Sequence, residues 1–135
     1  MSVATAEKIK LLSETIDFKA TVFKEVGDLS KDRVMGNRIL VAIFFRPNKI
    51  RGVWRPDSNV EEDAYQSKIG LVLQKGAHAF VPDVETDFRG DDVQVGQYIL
   101  YRASDGFPET RNGVPCRILK DQQVMMIVNN PEEWF

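Results

Sequence analysis

Residues able to act as nucleophiles, general bases or soft metal ligands are few in this sequence. His78 is the only histidine, and Cys116 is the only cysteine. A zinc site needs three or four ligands, mostly nitrogen and sulfur, and this pair cannot supply them. The sequence contains no Walker loop, no Gly-x-Gly-x-x-Gly and no Gly-x-Ser-x-Gly. We therefore predict a protein that is not an enzyme and that carries no metal and no cofactor.

The single cysteine also indicates in which cellular compartment the protein is expected. Cys116 lies within the largely apolar segment Val114–Leu119, which predicts a small buried side chain rather than a nucleophile. It cannot form an internal disulfide, so we expect a reducing, cytoplasmic setting. Apolar runs such as Ile39–Phe45 are far shorter than the roughly 20 residues that cross a bilayer. The first residues lack the pattern of a signal peptide, and we expect no membrane association.

Charge argues against nucleic acid as the main partner. The chain has 18 Lys and Arg against 20 Asp and Glu, a net charge of −2, so bulk attraction to a polyanion is absent. One short segment mixes basic and aromatic residues in the manner of single-strand binders: Arg46, Lys49, Arg51, Trp54 and Arg55. The acidic stretch that follows it opposes such binding, and we do not expect nucleic acid to be a partner.

The length of 135 residues fits one domain, which we place at 35–135, preceded by an arm at 1–34. The arm begins with helix formers and a narrow apolar stripe at Ile9, Leu12 and Ile16. Alternating apolar residues in Asp17–Val26 then predict an extended segment. The arm is interpreted either as a packed decoration of the domain or as a strap onto a neighbouring subunit.

From residue 35 onward the pattern is one of short strands and glycine-containing turns. This pattern predicts an all-β fold, a small barrel or sandwich. Gly70 indicates a bulge or a close backbone approach, and Gly76 a turn. The predicted strands are Arg38–Phe45, Ile69–Leu73, Val93–Tyr101, Cys116–Leu119 and Gln123–Val128. Two connections, Arg46–Ser67 and Ala77–Asp92, are longer than a compact barrel requires and are expected to be functional or protruding loops.

The order of these parts resembles the small co-chaperonins, the GroES-like family, from Val34 to Val128. Four stretches carry the resemblance. Residues 37–41, Asn-Arg-Ile-Leu-Val, are similar to the family's opening strand "D-R-V-L-V". Residues 70–76 follow its "G-x-V-x-x-x-G" strand and turn. Residues 93–101 are similar to "V-x-V-G-D-x-V-x-F", and Cys116–Val128 aligns with the closing pair of strands.

The resemblance implies a partly open β-barrel subunit in a homo-oligomeric ring, typically of seven copies. It implies that the closing strand of one subunit pairs with the first strand of the next, which would remove exposed strand edges. Arg46–Ser67 would be the loop that docks on a chaperonin, and Ala77–Asp92 the roof hairpin, with Asp83, Glu85 and Asp87 on it.

Two departures from the family pattern affect function. The docking motif is a Gly-Gly followed by three aliphatic residues, and the corresponding segment here is Ile50, Arg51, Gly52, Val53, Trp54 and Arg55. Arg55 stands where an aliphatic side chain would be buried, and burying an unpaired guanidinium is costly. The second departure is the arm. Bacteriophages carry divergent co-chaperonins, and arms also lace virion subunits together. The alternative hypothesis is therefore a structural virion protein, such as a capsid decoration or a tail or baseplate component.

Overall fold

The computed structural model describes residues 7–8, 11–12, 17–44, 49–50, 53–54, 67–84, 87–88 and 90–134, with backbone alone at 49–50 and 53–54. The backbone at 7–8 and 11–12 is helical. The remaining elements are helix α1 (Phe18–Val26) and strands β1 (Arg38–Ile43), β2 (Lys49–Ile50), β3 (Val53–Trp54), β4 (Ile69–Lys75), β5 (Tyr98–Leu100), β6 (Phe107–Arg111), β7 (Val114–Lys120) and β8 (Met126–Val128), with 3-10 turns at Asp121–Gln123 and Pro131–Trp134.

Six strands form one antiparallel sheet in the order β6-β7-β1-β4-β5-β8, and β2 pairs with β3 in a separate two-stranded sheet. The six-stranded sheet does not close, because β6 and β8 lie at its two ends. The prediction of an all-β fold with a partly open sheet is thereby confirmed. Strands were found within all five predicted stretches, whereas β6 was not predicted.

The prediction of an extended segment at Asp17–Val26 was wrong, since residues 18–26 form α1. The Asp17 side chain caps the helix by accepting a hydrogen bond from the backbone N–H of Ala20. The buried residues Phe18, Val22 and Val26 are spaced by four. A spacing of four satisfies both a two-residue and a helical repeat, so the alternation did not distinguish strand from helix.

The core lies on both faces of the sheet. Alternate residues along β1 point to opposite sides: Val41 belongs to one apolar cluster and Ala42 to the other. α1 covers the face of Ala42 through Phe18, Val22 and Val26, so this part of the arm packs on its own domain, and the face of Val41 is the second one. The second face is covered from the segment after β4, which contributes Ala79, Phe80 and Val93. Burial on both sides explains the nearly continuous apolar runs of β1 and β4.

Two glycines of β4 and the following turn allow close backbone approaches. Between Leu40 and Val41 the register against β4 shifts by one residue, which is a β-bulge. A Cβ atom at Gly70 would lie 2.9 Å from Cγ2 of Val41 and 3.1 Å from Cε1 of Tyr101. A Cβ atom at Gly76 would collide with the backbone carbonyl of Gly36. The neighbours that require glycine at position 70 are side chains, so the predicted close approach is one of side chains to the backbone and not of two backbones.

Candidate functional site: a docking segment and an open strand edge

The segment predicted to dock on a partner begins from a fixed base. The hydroxyl of Ser67 donates a hydrogen bond of 2.6 Å to the carbonyl of Phe44, and the N–H of Phe44 donates to the carbonyl of Ile69 at 2.9 Å. The two ends of the 45–66 connection are therefore held side by side. The connection therefore leaves and rejoins the described part of the chain at the same end of the sheet.

Within this connection, three of the predicted docking residues take part in a strand pairing. Lys49 pairs with Trp54 and Ile50 with Val53, so that Arg51 and Gly52 lie between the paired positions in the sequence. The structure describes the backbone of Ile50, Val53 and Trp54. Arg51, Gly52 and Arg55 lie outside the described residues. The pair β2–β3 does not join the six-stranded sheet.

The predicted roof hairpin takes a different form in the described part of Ala77–Asp92. No strand is assigned at 77–84, 87–88 or 90–92; residues 77–80 form a turn. Asp83 and Asp87 are both exposed, and Glu85 lies outside the described residues. The rings of Phe80 and Phe88 pack edge to face with centroids 5.5 Å apart. An aromatic contact, rather than a strand ladder, therefore joins the two sides of this segment where it is described.

A buried carboxylate holds the start of that segment. Phe80 adopts a positive φ of 63°, a conformation that is strained for a bulky residue. Its N–H donates a 3.0 Å hydrogen bond to Oδ2 of Asp121, which is 3% exposed. The N–H of Asp121 itself donates to the carbonyl of Asn37 at 2.9 Å. The sequence analysis did not identify this role of Asp121, because Phe80 lies 41 residues away in the chain.

The outer edge of β8 is open. β8 pairs with β5 on one side, and no described strand pairs with its other side. Met125 and Ile127 are 63% and 45% exposed, and neither charge nor proline interrupts β8. Unprotected edges of this kind accept further strands. A cavity of about 440 Å³ lies against this edge, with Phe80, Phe88 and Val124 among its apolar lining residues and Asp91, Asp92 and Asp121 as its charged ones.

The opposite edge of the sheet is protected. β6 contains Pro108, which has no N–H to offer to a further strand. The N–H of Thr110 already donates to Oε1 of its neighbour Glu109 at 3.3 Å. Proline and charged side chains are the usual means of blunting a sheet edge. Of the two ends of the sheet, β8 is therefore the one without proline or charged side chains, and its only protection of this kind is its length of three residues.

The strand pairing that the resemblance implied must be corrected in one respect. The first strand, β1, is paired with β4 on one side and with β7 on the other. Both of its edges are used within one subunit, because these two ladders bury it at the centre of the sheet. The closing strand of a neighbouring subunit consequently cannot pair with β1 while this sheet is intact.

Cys116 and His78, the only cysteine and the only histidine in the sequence, lie in different surroundings. Cys116 is buried, as predicted, and burial raises the pKa of its thiol to about 12. His78 is exposed, and its backbone N–H donates to the carbonyl of Gly36 at 3.0 Å. Among the described residues, no group of three or more His, Cys, Asp or Glu side chains could hold a metal ion.

Comparison with known proteins adds no assignment: no protein-family model and no curated protein matches this chain. Within the described part of the chain, no helix combines the length and apolar character needed to cross a bilayer.

Proposed function

We propose that this chain is a ring-forming, co-chaperonin-like subunit that docks on a chaperonin through residues 50–55 and assists protein folding. The observation that carries the proposal is the open edge of β8, with exposed Met125 and Ile127 beside it. A sister copy that supplies a strand to β8 covers these apolar side chains and completes the ladder. The open edge supports assembly between copies of this chain, and the ring form of that assembly is what the resemblance to the co-chaperonin family implies.

Docking is assigned to the segment that contains β2 and β3. The two ends of the connection are joined at its base through Ser67 and Phe44, and its strands β2 and β3 pair with each other rather than with the six-stranded sheet. Residues of types Val and Trp at positions 53 and 54 suit an apolar groove, and tryptophan is enriched among interface hot spots. Arg55 requires a carboxylate in that groove, because an unpaired buried guanidinium is costly. The subunit acts by binding alone, and nucleotide hydrolysis belongs to the chaperonin.

Co-sedimentation with a chaperonin, with and without ATP, tests the docking step. We expect the full chain to sediment with the chaperonin and Trp54→Ala to lose at least about tenfold in affinity, the scale of a hot-spot residue. Asp87→Asn, in the exposed segment at 87–88, serves as the control and should bind like the unaltered chain. Arg55→Leu, which restores an aliphatic residue, distinguishes a groove that holds a carboxylate from one that does not.

Absence of association under both nucleotide conditions would remove the docking proposal. Detection of the chain by mass spectrometry in purified virus particles would instead favour the structural virion protein. The two assays together separate a chaperonin lid from a particle component.

A further inference from the structure

Three aromatic rings meet where the docking connection leaves the sheet. Phe18 on α1 contacts Phe44 edge to face, with centroids 4.9 Å apart, and Phe44 contacts Tyr98 at 5.7 Å. Phe18 and Tyr98 are 6.4 Å apart, and the ammonium of Lys19 lies 5.4 Å above the Tyr98 ring. Phe44 is also the residue whose carbonyl and N–H form the base of the connection. The helix of the arm therefore packs directly against this base.

The other end of α1 is fixed to the sheet independently. The carbonyl of Val26 accepts hydrogen bonds from Nε of Arg111 at 3.2 Å and from Nδ2 of Asn112 at 2.9 Å. Arg111 also donates to the carbonyl of Asp28. A cation near a helix C-terminus is favourable, since it faces the negative end of the helix dipole. α1 is therefore held at both ends: its C-terminus is hydrogen-bonded to the β6–β7 turn, and Phe18 in its first turn packs against Phe44.

We propose that Phe18 is a positioning residue: through Phe44 it fixes the base of the connection that carries the docking residues. The arm then has a defined task in this chain, which is to hold the base of that connection in its own subunit. The last step of this inference rests on the proposed docking function, whereas the mechanical coupling between α1 and the base does not.

Hydrogen exchange resolved by residue tests the coupling in the full chain. The N–H groups of Phe44 and Tyr101 donate to the carbonyls of Ile69 and Lys68, so they report opening at the base. Phe18→Leu keeps an apolar side chain but loses the ring contact. An aromatic pair is worth roughly a two- to tenfold change in a local equilibrium, and exchange at Phe44 and Tyr101 should accelerate by that factor.

Val22→Ala is the matched control, because Val22 is fully buried on the same helix and one turn away from Phe18. It lowers global stability without removing a ring from the cluster. We expect exchange at Phe44 in Val22→Ala to accelerate no more than exchange at Gly76 does, because the loss of global stability acts on both amides alike. The N–H of Gly76, which donates to the carbonyl of Arg38 at 2.8 Å, lies away from the base and should not respond locally to either variant.

Equal acceleration at Phe44 in both variants, or none in Phe18→Leu, would overturn the proposal. In the binding assay, Phe18→Leu should weaken chaperonin association by a similar two- to tenfold factor, and Phe18→Tyr, which retains a ring, should restore it. Unchanged association despite faster exchange would also overturn the positioning role. If the unaltered chain fails to associate, the docking function falls, while the exchange data still decide whether α1 controls the base.

Discussion

At the scale of single residues, two described polar side chains join distant parts of the chain. Asp121 is buried and holds Phe80 at positive φ, and Ser67 joins the two ends of the docking connection. Neither role has a local signal in the sequence, because each depends on a contact between distant parts of the chain. Cys116 is the opposite case: its apolar surroundings in Val114–Leu119 were enough to predict burial.

Cys116 gives a direct test of the packing around β7. Its pKa of about 12 means that at pH 8 roughly one thiol in ten thousand is ionised, and the thiolate is the reactive form. We expect negligible labelling of the folded protein by a thiol reagent at pH 8. One full equivalent should react after denaturation, since the chain has one cysteine. Labelling of the folded chain at the rate of a free thiol would show that β7 is not buried as described.

At the scale of elements, strands with a buried face were predictable and exposed ones were not. β1 and β4 are apolar on both sides and were found from their sequences. Four of the five residues of β6 are exposed and the fifth is half-buried, so it lacks an apolar repeat. One available signal was the Asn112–Gly113 pair, which adopts positive φ at both residues, 50° and 79°. This dipeptide is typical of a two-residue hairpin turn, and it marks the turn between β6 and β7.

Asn112 also ties this turn to α1, which makes it a test of how the helix is anchored. Asn112→Asp should still tolerate positive φ but loses the Nδ2 donor to Val26. It also places a negative charge beside a helix C-terminus. We expect a loss of about 1–2 kcal/mol in the free energy of unfolding, measured by chemical denaturation. The same change at exposed Asn129 should cost less than about 0.5 kcal/mol, and equal costs at the two positions would contradict the anchoring role.

At the scale of the whole molecule, the sequence predicted a partly open all-β domain but not which strand remains open. Whether a strand lies at the edge or at the centre of a sheet depends on the order of all its strands. β1 is central because β4 and β7 both pair with it. The protection of β6 by Pro108 and Glu109, beside an unprotected β8, became visible only once the strand order was known. This asymmetry is the physical basis for proposing that copies of the chain assemble through β8.

The most direct test of the central claim is the oligomeric state of the full chain by native mass spectrometry. We predict a closed ring for the unaltered chain. Ile127→Lys should yield folded monomers, because it places a charge on the exposed apolar edge of β8. Val95→Lys, at a residue 49% exposed outside β8, should leave the ring intact. A monomer at all concentrations for the unaltered chain, or a ring that persists in Ile127→Lys, would contradict the account.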